Sequence, residues 1–233
     1  MFENFTQHLK QVEDRIAKAC SVAGRNKESV QLMAVTKTHP AEAVKTAYKQ
    51  GIRLFGESRV QELQEKAPVF PEDAQVHLIG HLQRNKAKKA APICCAVQSI
   101  DKLSTANALQ KACGEINKTM DIFIEVKTDP DSPKHGLTQE GDIYNLFEQV
   151  LELENLKTIG LMTIAPFTQE ETPVRRAFSR LRNLRDALQS RYPDTAKECI
   201  LSMGMTNDYE IAITEGSDLI RVGSALFGQR TYT

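Results

Sequence analysis

Gln31-Leu32-Met33-Ala34-Val35-Thr36 is a short apolar run that ends on Lys37 and is followed, from Pro40, by a segment of helical pattern. Pro suits the first turn of a helix, and Gly51 is a natural stop after Val44, Ala47 and Tyr48 have marked one apolar side. A buried strand followed by an amphipathic helix is one βα unit. The same unit recurs along the chain. Further short apolar runs read as strands at 53–55, 76–79, 94–98, 121–126, 158–163, 199–202 and 219–222. Helical segments separate them at about 59–66, 83–89, 102–117, a stretch ending near 154, 172–189 and 208–214. An additional amphipathic helix at 2–23, with Phe2, Phe5, Leu9, Val12, Ile16 and Cys20 on one stripe, precedes the first strand.

Strands alternating with helices pair in parallel, because each helix carries the chain back to the same edge of the sheet. Eight such strands commonly close into a barrel. An open doubly wound sheet is the alternative, but no GxGxxG follows the first strand. The expectation is a single (β/α)8 TIM-type barrel spanning 1–233, with the barrel proper at about 31–228. The 233 residues are 41% hydrophobic, enough for a substantial core.

Charge and cysteine content narrow the function. Lys plus Arg equal Asp plus Glu at 30 each, so no global field draws nucleic acid or anionic lipid. Arg84, Lys86, Lys88 and Lys89 form a local basic patch without aromatic stacking partners, which reads as a solvated helix face. The five cysteines, an odd number without CxxC, read as reduced thiols. With no signal peptide pattern and no membrane-length apolar run, a cytoplasmic protein is expected. His77 and His81 straddle a strand and its loop, no third ligand is apparent, and no metal is expected. Cys94 and Cys95, taken as neighbours on a strand, would face opposite ways.

In such barrels chemistry sits at the C-terminal strand ends. Those ends carry Lys37, Gly56 and Glu57, Gly80 and His81, Met162 and Thr163, Ser202 to Gly204, and Arg221, Gly223 and Ser224. Gly223-Ser224 opens a short helix. Loops after strands seven and eight often hold phosphate, yet Ser224 serves equally well as a cap. Lys37 is a desolvated amine for carbonyl chemistry or an ordinary solvated lysine. Arg221 shares a face with Gly223. An inward Arg needs an acceptor, either a carboxylate such as Asp218 or Glu210, or a ligand ring nitrogen.

Seven segments together carry a family resemblance. They are Ala34-Val35-Thr36-Lys37-Thr38-His39-Pro40, Phe55-Gly56-Glu57, His77-Leu78-Ile79-Gly80-His81-Leu82-Gln83, Lys134-His135-Gly136-Leu137, Gly160-Leu161-Met162-Thr163, Leu201-Ser202-Met203-Gly204-Met205-Thr206-Asn207-Asp208 and Ile220-Arg221-Val222-Gly223-Ser224-Ala225-Leu226-Phe227-Gly228. In this order and spread over nearly the whole chain, they closely resemble the pyridoxal phosphate homeostasis proteins (the YggS/PROSC family), relatives of the alanine racemase barrel domain. The resemblance implies an internal aldimine of pyridoxal 5'-phosphate on Lys37. It implies phosphate contacts from Ser202, Gly223 and Ser224, a hydrogen bond from Arg221 to the pyridine nitrogen, and a pocket that also includes His81, Met162 and Gly204. Ser58 departs from the family pattern, which has Asn there, so position 58 is left out of the site.

The resemblance further implies a non-catalytic protein in vitamin B6 balance, read here as a carrier that hands its cofactor to apo-enzymes, and a lone barrel is compatible with a monomer. Lys134 is a conceivable second amine for that transfer. The alternative is an amino-acid racemase, which needs a second base. In the related racemases that base is a tyrosine from another domain, and Tyr232 here is a poor substitute.

Overall fold

The structure is a computed structural model that describes residues 2–129 and 135–228. Its order is α1 (Phe5–Val22), β1 (Gln31–Val35), α2 (Glu42–Lys49), β2 (Leu54–Glu57), α3 (Val60–Lys66), β3 (Gln75–Leu78), α4 (Ala87–Ala90), β4 (Ala96–Ile100) and α5 (Leu103–Gly114). It continues with β5 (Met120–Glu125), α6 (Glu140–Leu151), β6 (Leu156–Met162), α7 (Glu171–Arg191), β7 (Ile200–Met205), α8 (Tyr209–Thr214), β8 (Leu219–Val222) and α9 (Ser224–Phe227). The eight strands pair in parallel in sequence order, and β8 pairs with β1 to close the barrel, with Ala34 opposite both Phe55 and Val222.

Alternation along each strand sorts side chains between two environments. Met33, Val35, Leu54, Ala96, Phe123, Met162 and Leu219 pack together inside the barrel. Their neighbours Ala34, Phe55, Ile220 and Val222 join α1 and α2 in one outer layer, while Val97, Ile122, Ile124 and Leu201 pack with the stripe of α7, including Phe178, Leu181, Leu184 and Leu188. The extra helix α1 buries Phe5, Leu9, Val12, Ile16 and Cys20 against α8 and α9.

Two local readings are corrected. The fourth strand starts at Ala96 rather than at Cys94, because the amides of Ile93 and Cys94 both donate to Ala90 O and hold the chain in a helix-exit turn. Cys94 and Cys95 therefore precede the strand. The basic helix expected at 83–89 is a 3₁₀ turn, Arg84–Lys86, followed by the single turn of α4.

Gly160 marks where β6 is pressed between its neighbours. A Cβ there would lie 2.4 Å from Ile200 O and 2.7 Å from the Phe123 ring. Because Ile200 O is backbone, neither strand yields cheaply. Gly160→Ala is expected to lower stability by about 1–3 kcal/mol, read as a lower urea midpoint at unchanged m-value. An unchanged midpoint would show that the barrel tolerates the methyl.

Candidate functional site

Lys37 follows β1 on a turn that is held from below. Thr36 is fully buried; its hydroxyl donates to Glu57 Oε1 at 2.6 Å, and its carbonyl accepts from Lys66 Nζ at 2.7 Å. Lys66 Nζ also meets Glu57 Oε1 at 2.8 Å, in an ion pair almost wholly out of water. Burial raises the Glu57 pKa, and the charge of Lys66 opposes that rise. One residue beyond Lys37, Thr38 has φ +65°, a conformation disfavoured for a β-branched residue. Its N–H donates to Glu62 Oε2 at 2.7 Å, which helps hold it there. Thus Lys37 stands between an anchored residue and a strained one.

A cavity of about 220 Å³ opens at this end of the barrel. Lys37, Arg221, Gly223 and Ser224 all line it, together with Thr206, Asn207 and Asp208 after β7. Val35, Ile79 and the 164–167 segment give it apolar walls. An amine, a guanidinium and hydroxyls around a small apolar chamber suit a small anionic ligand bearing a carbonyl.

Arg221 is buried inside the barrel, and neither suggested carboxylate reaches it: Asp218 pairs with Arg25 at 3.1 Å and Glu210 with Arg15 at 2.5 Å. Instead Nη1 donates to Ser202 Oγ at 2.8 Å and Nη2 to Thr163 O at 2.7 Å. These bonds occupy two of the five donors a guanidinium carries. Burial lowers Arg221 to about 10, with the charges of Asp208 and Glu125 opposing, so it remains protonated at neutral pH.

The other expected residues lie elsewhere. Ser202 is fully buried, donating to Gln98 Oε1 at 2.6 Å and accepting from Arg221; it reaches the cavity only through that arginine. Met162, the last residue of β6, points into the barrel core beneath the cavity. Gly204 has φ +96° and gives way to α8, since a Cβ there would lie 2.6 Å from Ala212 Cβ and 2.9 Å from Tyr209 Cα. His81 is exposed on the loop after β3, where its ring stacks on His135 at 4.1 Å between centroids. It is not among the residues that line the cavity and instead borders a separate cleft with Arg84 and Lys102. Lys134 and Tyr232 fall outside the described residues.

The reading from strand ends missed Thr206, Asn207 and Asp208, although these residues lie in the loop after β7 that such barrels use for anions. It also missed Gln98, whose amide donates to His77 Nδ1 at 2.8 Å inside the barrel. A glutamine within an apolar strand was the available signal.

The family model for the alanine racemase N-terminal domain matches residues 7–231, so the barrel is of alanine racemase type. A pyridoxal phosphate homeostasis protein of Aquifex aeolicus is 39% identical over 230 residues, covering 98% of this chain and 100% of the relative. A crystal structure from Bifidobacterium adolescentis superposes with TM-score 0.91 at 33% identity, covering 97% of this chain and 95% of that one. PipY of Synechococcus elongatus, solved with PLP bound, gives TM-score 0.79 at 35% identity, covering 93% of this chain and 100% of that one. This chain belongs to the family of the pyridoxal phosphate homeostasis proteins.

Glu125, the last residue of β5, generates a pH prediction. Burial raises it from 4.5 to about 7, with Asp101 adding to the rise and Arg221 opposing it. Between these values the folded chain holds a proton that the unfolded chain has released. Stability must then fall as pH rises from about 4.5 to about 7. The drop attributable to this group is at most about 3 kcal/mol. Glu125→Gln is expected to flatten the profile when urea unfolding is compared at mildly acidic and mildly basic pH. An equally steep fall in the variant would assign it to other groups.

Proposed function

We propose that this protein binds pyridoxal 5'-phosphate, holds it covalently through Lys37 Nζ, and serves to store and pass on the cofactor. The observation that carries the proposal is the lining of one small cavity by Lys37, Arg221 and the Gly223-Ser224 turn. The names of its relatives and the PLP-bound PipY structure support the choice of ligand. The donor set fits: Gly223 and Ser224, with Thr206 beside them, would take the phosphate, and Lys37 would take the aldehyde carbon. Arg221 would donate to the pyridine nitrogen. The bound cofactor supplies an electrophilic carbonyl joined to a ring that can withdraw electrons.

The chain's own residues favour holding over turnover. Arg221 has no proton to spare for the ring nitrogen, and a ring left unprotonated withdraws electrons weakly. Racemisation also needs an acid or base on each face of the substrate. No tyrosine is found among the described residues lining the cavity. The reading extends to a monomeric cytoplasmic protein whose recipients are apo-enzymes that use the same cofactor. Among the described residues, no helix is long and apolar enough to cross a membrane.

Purified protein incubated with pyridoxal phosphate is expected to take on the visible absorption of a lysine-linked cofactor. Borohydride reduction and peptide mapping should place the label on Lys37. Lys37→Ala should lose the label yet retain weaker binding through the phosphate contacts, and Ser224→Ala should reduce affinity roughly 10-fold or more. Labelling at another lysine would overturn the site. D-amino acid formed from L-amino acid at ordinary enzymatic rates would replace the carrier reading with the racemase.

A further inference from the structure

The loop after β3, the end of β4 and the loop after β5 bring three ligand-type side chains together at the rim. His81, Asp101 and His135 each present one ligand atom, and these atoms all lie within 4.8 Å of one another. Sequence reading weighed His81 only beside His77 and expected no metal there. His77 is buried and bonded to Gln98, whereas the partner of His81 lies on a loop two strands further on. We propose that His81, Asp101 and His135 form a binding site for a divalent first-row transition-metal ion of the zinc class.

Beyond the convergence of the three side chains, one independent observation points to a ligand. Asp101 is 5% exposed, and its Oδ1 is buried without a hydrogen-bond partner among the described residues. An unsatisfied carboxylate oxygen is costly unless a cation or donor meets it. The two imidazoles meanwhile leave solvent on one side and stack on each other, 17° from parallel. Two histidines and one carboxylate form a recognised donor set for zinc and its neighbours, and they leave positions open for water or an anion. Metal bonds of about 2.0–2.2 Å place donor atoms roughly 3.3 Å apart. Modest rotation of the two exposed rings closes the remaining gap.

The backbone under each ligand is fixed. Gly80, just before His81, lies so close to Ser58 that a Cβ would sit 2.1 Å from its carbonyl oxygen, and Gly80 O accepts from Ser99 Oγ at 2.7 Å. Asp101 directly follows β4. Gly136, just after His135, has φ +118° and passes against Lys127, while Leu137 exchanges backbone hydrogen bonds of 2.9 Å with Glu125 and Lys127. The open side of the cluster adjoins a cleft of about 720 Å³ lined by His81, Arg84, Asn85, Lys102 and Ser104. Its basic residues suit an anionic fourth ligand.

The test uses the full chain carrying Lys37→Ala and freed of pyridoxal phosphate, so that cofactor chelation and failure of the cofactor reading are both kept out of it. Titration with Zn²⁺ by calorimetry is expected to show one equivalent bound, and Co²⁺ should develop ligand-field absorption. His81→Ala and His135→Ala change exposed residues and should leave folding intact. Each should weaken the metal by at least about 100-fold, beyond the roughly 10–100-fold that loss of a supporting contact costs. Asp101→Asn should do the same, with circular dichroism as the check on folding. Equal affinity in the His81→Ala, His135→Ala double variant, or no saturable binding at all, would overturn the site and reduce the cluster to a stacked histidine pair beside a buried acid.

Discussion

A full positive charge sits inside the barrel on Arg221, where it donates hydrogen bonds to two neutral oxygens, Ser202 Oγ and Thr163 O. Withdrawing a guanidinium from water is costly, and hydrogen bonds must offset much of that cost. The interior answers with a directed chain. Arg221 donates to Ser202, Ser202 to Gln98 Oε1, and Gln98 Nε2 to His77 Nδ1. The chain ends at an imidazole whose pKa burial lowers to about 4, so His77 is neutral and its Nδ1 is free to accept. Each donor in this line has one acceptor, which fixes the hydroxyl and amide orientations as well as the arginine. The apolar layer of Met33, Phe123, Met162 and Leu219 packs inside the same barrel, where β-strand alternation leaves little freedom to repack.

Such a chain aims Arg221 rather than stabilising the fold cheaply. A well-packed apolar side chain in its place would often be neutral or better for stability. Arg221 lines the cavity while its Nη1 and Nη2 are each anchored by a hydrogen bond, to Ser202 and Thr163. The same logic holds across the mouth at Lys37. The Thr36–Glu57–Lys66 network fixes the residue before it, and the Thr38 N–H to Glu62 bond holds the strained residue after it. Strain of this kind persists only where surrounding bonds over-determine it, and it clusters at functional positions. Both ends of the cavity are therefore set by buried polar groups that no ligand has to organise.

Much of this was legible in the sequence because it follows from period and position. The recurrence of short apolar runs gave the eight parallel strands, and the strand-end rule placed Lys37, Arg221, Gly223 and Ser224 near one another. What escaped depends on where a strand ends, since β7 runs on to Met205 and not to Ser202, and on which way a side chain points near that end. Ser202 and Met162 end up in the interior because pleat and register continue to the rim, and β7 shifts register against β8 between Ser202 and Met205. Gly204 is explained by an approach of α8 that no local pattern announces. The Asp101–His135 contact with His81 joins three loops, and residue spacing along one chain carries no trace of it.

The contrast between holding and transforming a cofactor comes down to proton supply. A catalyst acting on an amino acid beside this barrel mouth would need a ring that accepts electrons and a group on each side that moves a proton. Arg221 stays protonated at neutral pH, because even the lowering caused by burial leaves it at about 10. It can donate a hydrogen bond but has no reason to release a proton to the ring. In the proposed reading, Lys37 would be occupied in holding the ligand until another amine displaces it. Asp208 lines the cavity, its Oδ1 accepts from the Met205 amide at 2.5 Å, and its charge favours the protonated form of Arg221. In the proposed reading, one amine that binds reversibly, one cation that stays protonated and a loop that takes an anion would suffice for capture and release, and no tyrosine among the described residues lining the cavity offers itself for the second proton transfer of a racemase.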